Sequence, residues 1–284
     1  MTVGDALVWA QGMLQGADVA DARREAEILL AACLGWERAK LIAHPEAALA
    51  ERQLRRFECW VRRRARREPL AYITRRAWFY GLELTVGRGA LIPRPETELL
   101  VELFLGWESG GEGFPILVDA GTGSGAVAIA CLKHAPQWLG VGIDRSRRAL
   151  HIAQINRRKL RLETRLMLVQ GDWLAGLRPR SVNAVLSNPP YVLPDEWDAL
   201  QPEIARYEPR AALLVPAEDP LLPYRRIAQD AARVLRSPGL LAFETSPRLA
   251  PLLMEQLPRW GFPNPQVRRD YSGVERVVYA EVRY

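Results

Sequence analysis

Cysteine, histidine and lysine are scarce in this chain of 284 residues. Cys33, Cys59 and Cys131 stand far apart with no Cys-x-x-Cys pair, and there are only three histidines. That inventory disfavours a zinc site or a disulfide framework and makes a reducing cytoplasm the expected setting. No apolar run reaches the ~18 residues that a membrane-spanning helix needs. The segment from Met1 to Gln15 lacks the basic start and apolar stretch of a secretory leader. Internal repeats and low-complexity tracts are missing too. What is present is a chain with 49% hydrophobic residues and a net charge of +6, of which +4 falls in residues 1–90. Length and apolar content suit one or two domains with a full core.

Two rhythms divide the sequence. Residues 1–75 read as a small helical domain. Asp21 stands where an N-cap belongs, Gly35 follows as a stop, and Ala26, Leu29, Leu30 and Cys33 recur at helical spacing between them. A second helix from Ala50 to about Arg67 carries Leu54, Phe57 and Val61 on one stripe and eight arginines around it. Such a run reads either as a solvated helix face or as a docking surface for phosphate-rich RNA or a ribosome-associated protein. Residues 76–90 alternate around glycines and predict a β-hairpin linker.

Residues 91–284 change to βαβ alternation. Strands are expected at Pro115–Asp119, Leu139–Asp144, Leu166–Val169, Val182–Ser187 and Leu240–Glu244, with helices at Ser124–His134, Ser146–Arg158 and Leu221–Arg236. Near-continuous apolar strands separated by helices predict an α/β fold with a mostly parallel sheet covered on both faces. The close pair Gln266–Tyr271 and Glu275–Val282 predicts an antiparallel edge at its C-terminal end.

The strand ends carry the chemistry. Asp119 leads into Gly121-Thr122-Gly123-Ser124-Gly125, whose alternating glycines permit a tight turn and let a ligand approach bare backbone. Asp144 ends the next strand, where a carboxylate accepts ribose hydroxyls. Asp172 follows the third, with Trp173 as a flat wall for adenine. The set suits an adenosine nucleoside, and the spacing Gly121-x-Gly123-x-x-Ala126 with Asp144 equally satisfies a loose NAD fingerprint. Behind the fourth strand stands Asn188-Pro189-Pro190-Tyr191. Its prolines stiffen the backbone and donate nothing, leaving one side-chain amide, free carbonyls and one ring. That tetrapeptide suits gripping a planar NH2 group; hydride transfer has no use for it.

These motifs resemble the Rossmann-like, class I S-adenosylmethionine-dependent methyltransferases whose fourth strand ends in Asn-Pro-Pro-Tyr. A longer set narrows the resemblance: Pro69–Thr74, Leu91–Glu98, Glu208–Leu213 and Asp270–Val277 are similar to the protein-(glutamine-N5) methyltransferases of peptide chain release factors. The resemblance implies a seven-stranded, mostly parallel sheet. It also implies methyl transfer to the glutamine of the release factors' Gly-Gly-Gln motif, with S-adenosyl-L-homocysteine as product. Cofactor positions fall on Gly121, Thr122, Gly123, Ser124, Gly125, Asp144, Trp173 and Asn188; substrate positions fall on Asn188, Pro189, Pro190 and Tyr191. Asn188, Pro189 and Tyr191 become the expected catalytic set, with no metal. The helical domain, by the same resemblance, docks the release factor. A nucleic-acid N6-adenine or N2-guanine methyltransferase shares the tetrapeptide and remains the nearest alternative. An NAD-linked oxidoreductase and a non-catalytic RNA-binding adaptor lie further off. The sequence departs from the family at Arg75, where glycine is usual, at Leu240 in place of the second glycine of Pro-Gly-Gly, and at Thr245 in place of an aliphatic residue.

Overall fold

The structure, a computed structural model, describes residues 1–107 and 114–282, which fall into two compact units. One comprises Met1–Arg76 together with Leu200–Tyr207; the other holds Ala77–Ala199 and the chain from Glu208 onward.

The first unit is helical: α1 (Val3–Gln15), α2 (Ala22–Leu34), α3 (Arg38–Ala43), α4 (Glu51–Ala65) and α5 (Leu70–Thr74). Thr2 starts α1 through a reciprocal pair of bonds, its hydroxyl accepting from Asp5 N (3.2 Å) while its own N–H donates to the Asp5 carboxylate (3.0 Å). The apolar stripes meet as one core, with Ala6, Ala10 and Leu14 packed on Leu29, Leu30, Phe57 and Val61. Gly35 ends α2 in the left-handed region, as expected, but Asp21 does not cap its start. Asp21 itself is left-handed (φ 51°) and its side chain makes no capping bond. Arg75 closes α5 in the same left-handed region at φ 60°, which explains why glycine is the usual residue there.

The arginines of α4 are largely occupied. Arg55, Arg62 and Arg63 pair with Glu51, Glu58 and Glu68. Arg64, 5% exposed, is held by Glu25 and by Glu203 (2.8 Å), and Arg67 donates twice to Glu203 (2.7 and 2.9 Å). Glu203 arrives on α9 (Pro202–Tyr207), a segment inserted from far along the chain. A guanidinium is tolerated at such burial only when paired, so the inserted helix completes this core.

The second unit opens with a hairpin of β1 (Arg76–Phe79) and β2 (Leu82–Thr85), then α6 (Glu98–Gly106). Its sheet contains β3 (Ile116–Ala120), β4 (Leu139–Asp144), β5 (Leu166–Gln170), β6 (Val182–Ser187), β7 (Leu235–Glu244), β8 (Gln266–Arg269) and β9 (Glu275–Val282). The order is β5-β4-β3-β6-β7-β9-β8, with β9 antiparallel to both its neighbours and the other pairings parallel. All six residues of β6 are buried, as a strand covered on both faces requires. One face packs on α10 (Leu222–Val234) and α11 (Ala250–Gln256) through Tyr224, Ile227, Ala231 and Leu253. The other packs on α6 and α7 (Ala126–His134) through Leu100, Phe104, Ile129 and Cys131.

β7 begins five residues before the expected Leu240. Val182 pairs with Leu235 and Ala184 with Leu240, so residues 236–239 bulge opposite Asn183 alone. Leu240 is fully buried, a use for the side chain that replaces the usual glycine. On α8 (Arg147–Lys159), fully buried Asn156 accepts from Thr85 N (2.7 Å) and donates to Thr85 O and Ser124 O (2.9 Å each). It thereby ties the hairpin to the glycine turn.

Candidate active site

Strand order reverses between β3 and β6, and the loops leaving such neighbours part to opposite sides and open a crevice. Ala120 and Ser187 are register partners at the ends of these strands, and the Ser187 hydroxyl donates to Ala120 O at 2.6 Å. Gly121 and Asn188 therefore leave the sheet side by side. Between them opens a cavity of about 580 Å³ within the second unit. Gly121, Thr122, Gly123, Ser124, Asp144, Trp173, Asn188 and Pro190 border it; Gly125, Pro189 and Tyr191 do not.

The glycine turn is held from beneath by Asp119. This carboxylate is 2% exposed and accepts from Thr122 Oγ1 (2.7 Å) and Ala128 N (3.1 Å). Burial pushes its pKa up to about 6, against the pull of those two donors. Asp144, which borders the cavity, accepts from Gly123 N (2.9 Å) and Ser146 N (2.8 Å) on separate oxygens, which leaves each oxygen further acceptor capacity. Desolvation raises its proton affinity and the two N–H donors oppose it. Gly121 (φ 78°) passes under the Trp173 ring, where a Cβ would stand 3.2 Å from the ring carbon Cζ3. Trp173 is itself left-handed at φ 51°. Bare backbone, carboxylate and indole thus fit an adenosine-bearing cofactor. Gly125 acts one step behind: a Cβ there would come within 3.0 Å of Ile129 and 3.3 Å of Ala153, so its glycine serves helix packing.

At the other end of the cavity the Asn188 amide donates from Nδ2 to Thr97 Oγ1 at 3.1 Å. Pro189 is buried, and Tyr191 turns its hydroxyl away from the cavity to donate to Glu244 Oε1 at 3.2 Å. The Tyr191 and Val192 N–H groups both donate to Leu213 O, which fixes the strand beyond the prolines.

Leu91, Pro93 and Thr97, within the block that carries the family resemblance, border the cavity. Leu214 to Pro216 and Arg226 border it too, and these escaped sequence reasoning. Thr97 sits between Glu96 and Glu98, the carboxylates that draw the eye; Glu98 is structural, accepting from Tyr80 N at 2.7 Å. Glu208 anchors the Pro93 block, accepting from Ile92 N (3.1 Å) and pairing with Arg94. Glu244 is a buried acid at the end of an apolar strand, and that placement was the available signal.

A seven-stranded Rossmann-like sheet with this glycine turn, a carboxylate at the second strand tip and Asn-Pro-Pro-Tyr at the switch point defines a class I S-adenosylmethionine-dependent methyltransferase. Comparison with known proteins narrows the class. Residues 5–74 match the family model described as PrmC N-terminal domain, and residues 97–203 match Methyltransferase small domain. The chain is 34% identical over 282 residues to the release factor glutamine methyltransferase of Clostridium acetobutylicum, covering 99% of this chain and 98% of that one. It is 37% identical over 276 residues to that of Nitratidesulfovibrio vulgaris, covering 95% and 92%. The chain belongs to the release factor glutamine methyltransferase family. Among solved structures, the delta-N METTL16 MTase domain aligns with TM-score 0.51 at 21% identity, over 72% of this chain and 90% of that one. The T. thermophilus 16S rRNA N2 methyltransferase RsmC, solved with AdoMet and guanosine, aligns with TM-score 0.50 at 19% identity, over 73% and 50%. At those identities the likeness is one of fold.

Proposed function

We propose that the cavity carries out the family's reaction, methyl transfer from S-adenosylmethionine to the side-chain amide nitrogen (N5) of the Gly-Gly-Gln glutamine in peptide chain release factors. The reading rests on one observation above the others: the Asn188 amide opens onto the cavity that Gly121, Asp144 and Trp173 border, with its Nδ2 already committed to Thr97. Its Oδ1 is then the atom left to accept from a substrate NH2.

When bound, S-adenosylmethionine supplies a methyl carbon made electrophilic by the sulfonium. The backbone of Gly121 to Ser124 would cradle its amino-acid end, the Asp144 carboxylate would accept from the ribose hydroxyls and the Trp173 ring would wall the adenine. An amide nitrogen is a poor nucleophile because its lone pair is shared with the carbonyl. Asn188 Oδ1 accepts one N–H, which would orient the nitrogen for transfer and offset the positive charge that develops on it, while Pro189, which does not border the cavity, is left out of that contact. Orientation of two bound partners supplies up to about 7–11 kcal/mol in favourable cases. No strong base is needed, since the proton can leave after transfer. Pro190 walls the pocket, and Tyr191 stiffens the tetrapeptide from behind through Glu244.

The helical unit is assigned to docking the release factor, in the cytoplasm where termination occurs. An RNA contact through α4 has narrower support. Arg55, Arg62, Arg63 and Arg66 border one surface groove with Glu58 and Cys59, but three of those four arginines already pair with glutamates.

Labelled-methyl transfer onto purified release factor, with tRNA, rRNA and DNA as competing acceptors, tests the assignment. Release factor is expected to take the label, and Asn188→Ala to lose about 10²–10³-fold in kcat, the usual cost of one group aimed at developing charge. Calorimetry should show S-adenosylmethionine binding largely intact in that variant. Wild-type turnover by Asn188→Ala would sink the role given to it.

A further inference from the structure

The Asn188 end of the cavity is built from three stretches that lie far apart in the chain. Pro93 and Thr97 border it from the first, Asn188 and Pro190 from the second, Pro209 and Leu214 from the third. Proline recurs in all three, and its missing N–H keeps such segments from pairing through a regular backbone ladder. They need other joints. Asn188 Nδ2 donates to Thr97 Oγ1, which joins the first stretch to the second. Tyr191 N and Val192 N donate to Leu213 O (3.1 and 2.8 Å), and Val215 N donates to Val192 O (3.0 Å), which joins the second to the third.

Glu208 makes the remaining joint. Its side chain is 1% exposed, and it catches both neighbours of Pro93: Oε2 accepts from Ile92 N at 3.1 Å and Oε1 pairs with Arg94 Nη2. From Arg94 the link passes straight to the clamp, because Arg94 O accepts from Thr97 N at 3.1 Å across the single turn Pro95–Thr97. From Glu208 the chain enters the turn Arg210–Ala212, where Arg210 O accepts from Leu213 N and Leu214 N (3.1 and 2.9 Å). That turn sets the carbonyl which holds Tyr191. The contacts close a ring that runs Asn188, Thr97, Arg94, Glu208, Leu213, Tyr191 and back along the chain to Asn188.

We propose that Glu208 is a positioning residue which, through Ile92 and Arg94, closes this ring and so keeps the Asn188 amide aimed at the methyl-transfer position. With the joint open, Thr97 moves with the Pro93 stretch and carries the amide it holds. With the joint closed, each of the three stretches is fixed by the other two. A buried ion pair suits that task. Water cannot replace the partners of Glu208, and a guanidinium together with a backbone N–H defines position where a single bond would swivel. This role rests on the reading of Asn188 as the amide clamp and deepens it.

The test compares Glu208→Gln, Arg94→Met, their double variant, Arg94→Lys and Asn188→Ala in the full chain, with release factor as methyl acceptor. Glu208→Gln keeps an acceptor for Ile92 N but loses the charge that pairs with Arg94. Arg94→Met keeps the stem and removes the donor; Arg94→Lys restores one charged donor. Rates are taken per S-adenosylmethionine bound, counted by calorimetry, so that unfolded molecules drop out. Glu208→Gln and Arg94→Met are each expected to lose about 10–100-fold in kcat, the scale of a displaced orienting group, with cofactor Kd within about threefold of wild type. The double variant should lose no more than the worse single one, since both break the same joint. Arg94→Lys should recover most of the Arg94→Met loss. A role in stability alone predicts a lower Tm with kcat per bound cofactor unchanged, and that result would overturn the proposal. So would losses that multiply in the double variant, or a raised cofactor Kd at wild-type kcat. Should Glu208→Gln fail to fold, the Arg94 variants decide, because that side chain is 25% exposed; lysine no better than methionine sinks the ring. If Asn188→Ala is inactive while both single variants run at wild-type rate, the ring fails and the clamp stands. If Asn188→Ala is itself fully active, the clamp fails and the task given to Glu208 goes with it.

Discussion

Replacing Gly121 by alanine separates what the glycine turn does for the fold from what it does for the cofactor. Gly121 has φ 78°, and holding an L-residue in that region costs about 1–2 kcal/mol. Loss of glycine's freedom in the unfolded chain returns roughly 0.4–1 kcal/mol, so the net backbone cost is about 1 kcal/mol. The new Cβ also stands 3.2 Å from the Trp173 ring, closer than side chains normally approach, so the ring must shift by a few tenths of an ångström. A well-placed aromatic contact is worth about 0.5–1.5 kcal/mol, and losing it weakens binding by roughly 3–10-fold. Gly81→Ala is the control: Gly81 has φ 72°, nothing within 4 Å of a Cβ, and no place on the cavity wall. Both variants should lower Tm by about 2–4 °C in thermal unfolding. Only Gly121→Ala should raise the Kd for S-adenosylmethionine in calorimetry. Equal cofactor affinity in the two variants would refute the assignment of Trp173 and the bare turn to the adenosine site.

Two further outcomes follow from the same geometry. Asp119 is held at about 6 in the folded protein against 3.8 as its ordinary value, so the folded state binds the proton more tightly than the unfolded one. Its contribution is therefore complete below pH ~4 and lost as pH rises through about 6, a change on the order of 3 kcal/mol. Asp119→Asn should flatten the stability profile across that window in denaturant titrations and raise stability at pH 7.5; an unchanged slope would count against it. Arg75→Gly should stabilise the helical unit by about 0.5–1 kcal/mol by relieving the left-handed arginine, read as a rise in denaturation midpoint.

The centre of the sheet was legible because its strands are largely buried: the runs at 139–144 and 182–187 carry their boundaries in plain apolar sequence. The count of seven strands and the antiparallel edge followed from the resemblance and from the hairpin spacing at the C-terminal end; the strand order came from the structure. The start of β7 was hidden because residues 236–239 bulge opposite one partner, and a bulge has no period to detect. Asp21 misled because cap preference is a side-chain rule, and this residue's backbone is left-handed. In the site, the residues named from strand ends were found at those ends, since topology places them there. Thr97, Glu208 and Glu244 could not be found that way. Their importance lies in partners such as Asn188, Arg94 and Tyr191, tens of residues away in the chain. Thr245, odd beside an aliphatic norm, makes sense only once the Tyr224 hydroxyl is seen donating to it.

The inserted helix at Leu200–Tyr207 has a consequence for how this molecule is built. A fragment ending at residue 76 would contain every N-terminal helix yet leave Arg64 with half its counter-charge and Arg67 with none from Glu203. The two units are therefore not beads that gene fusion could simply exchange. A graft of the helical part onto another methyltransferase would have to bring residues 200–207 with it, set into the recipient's chain at the matching place.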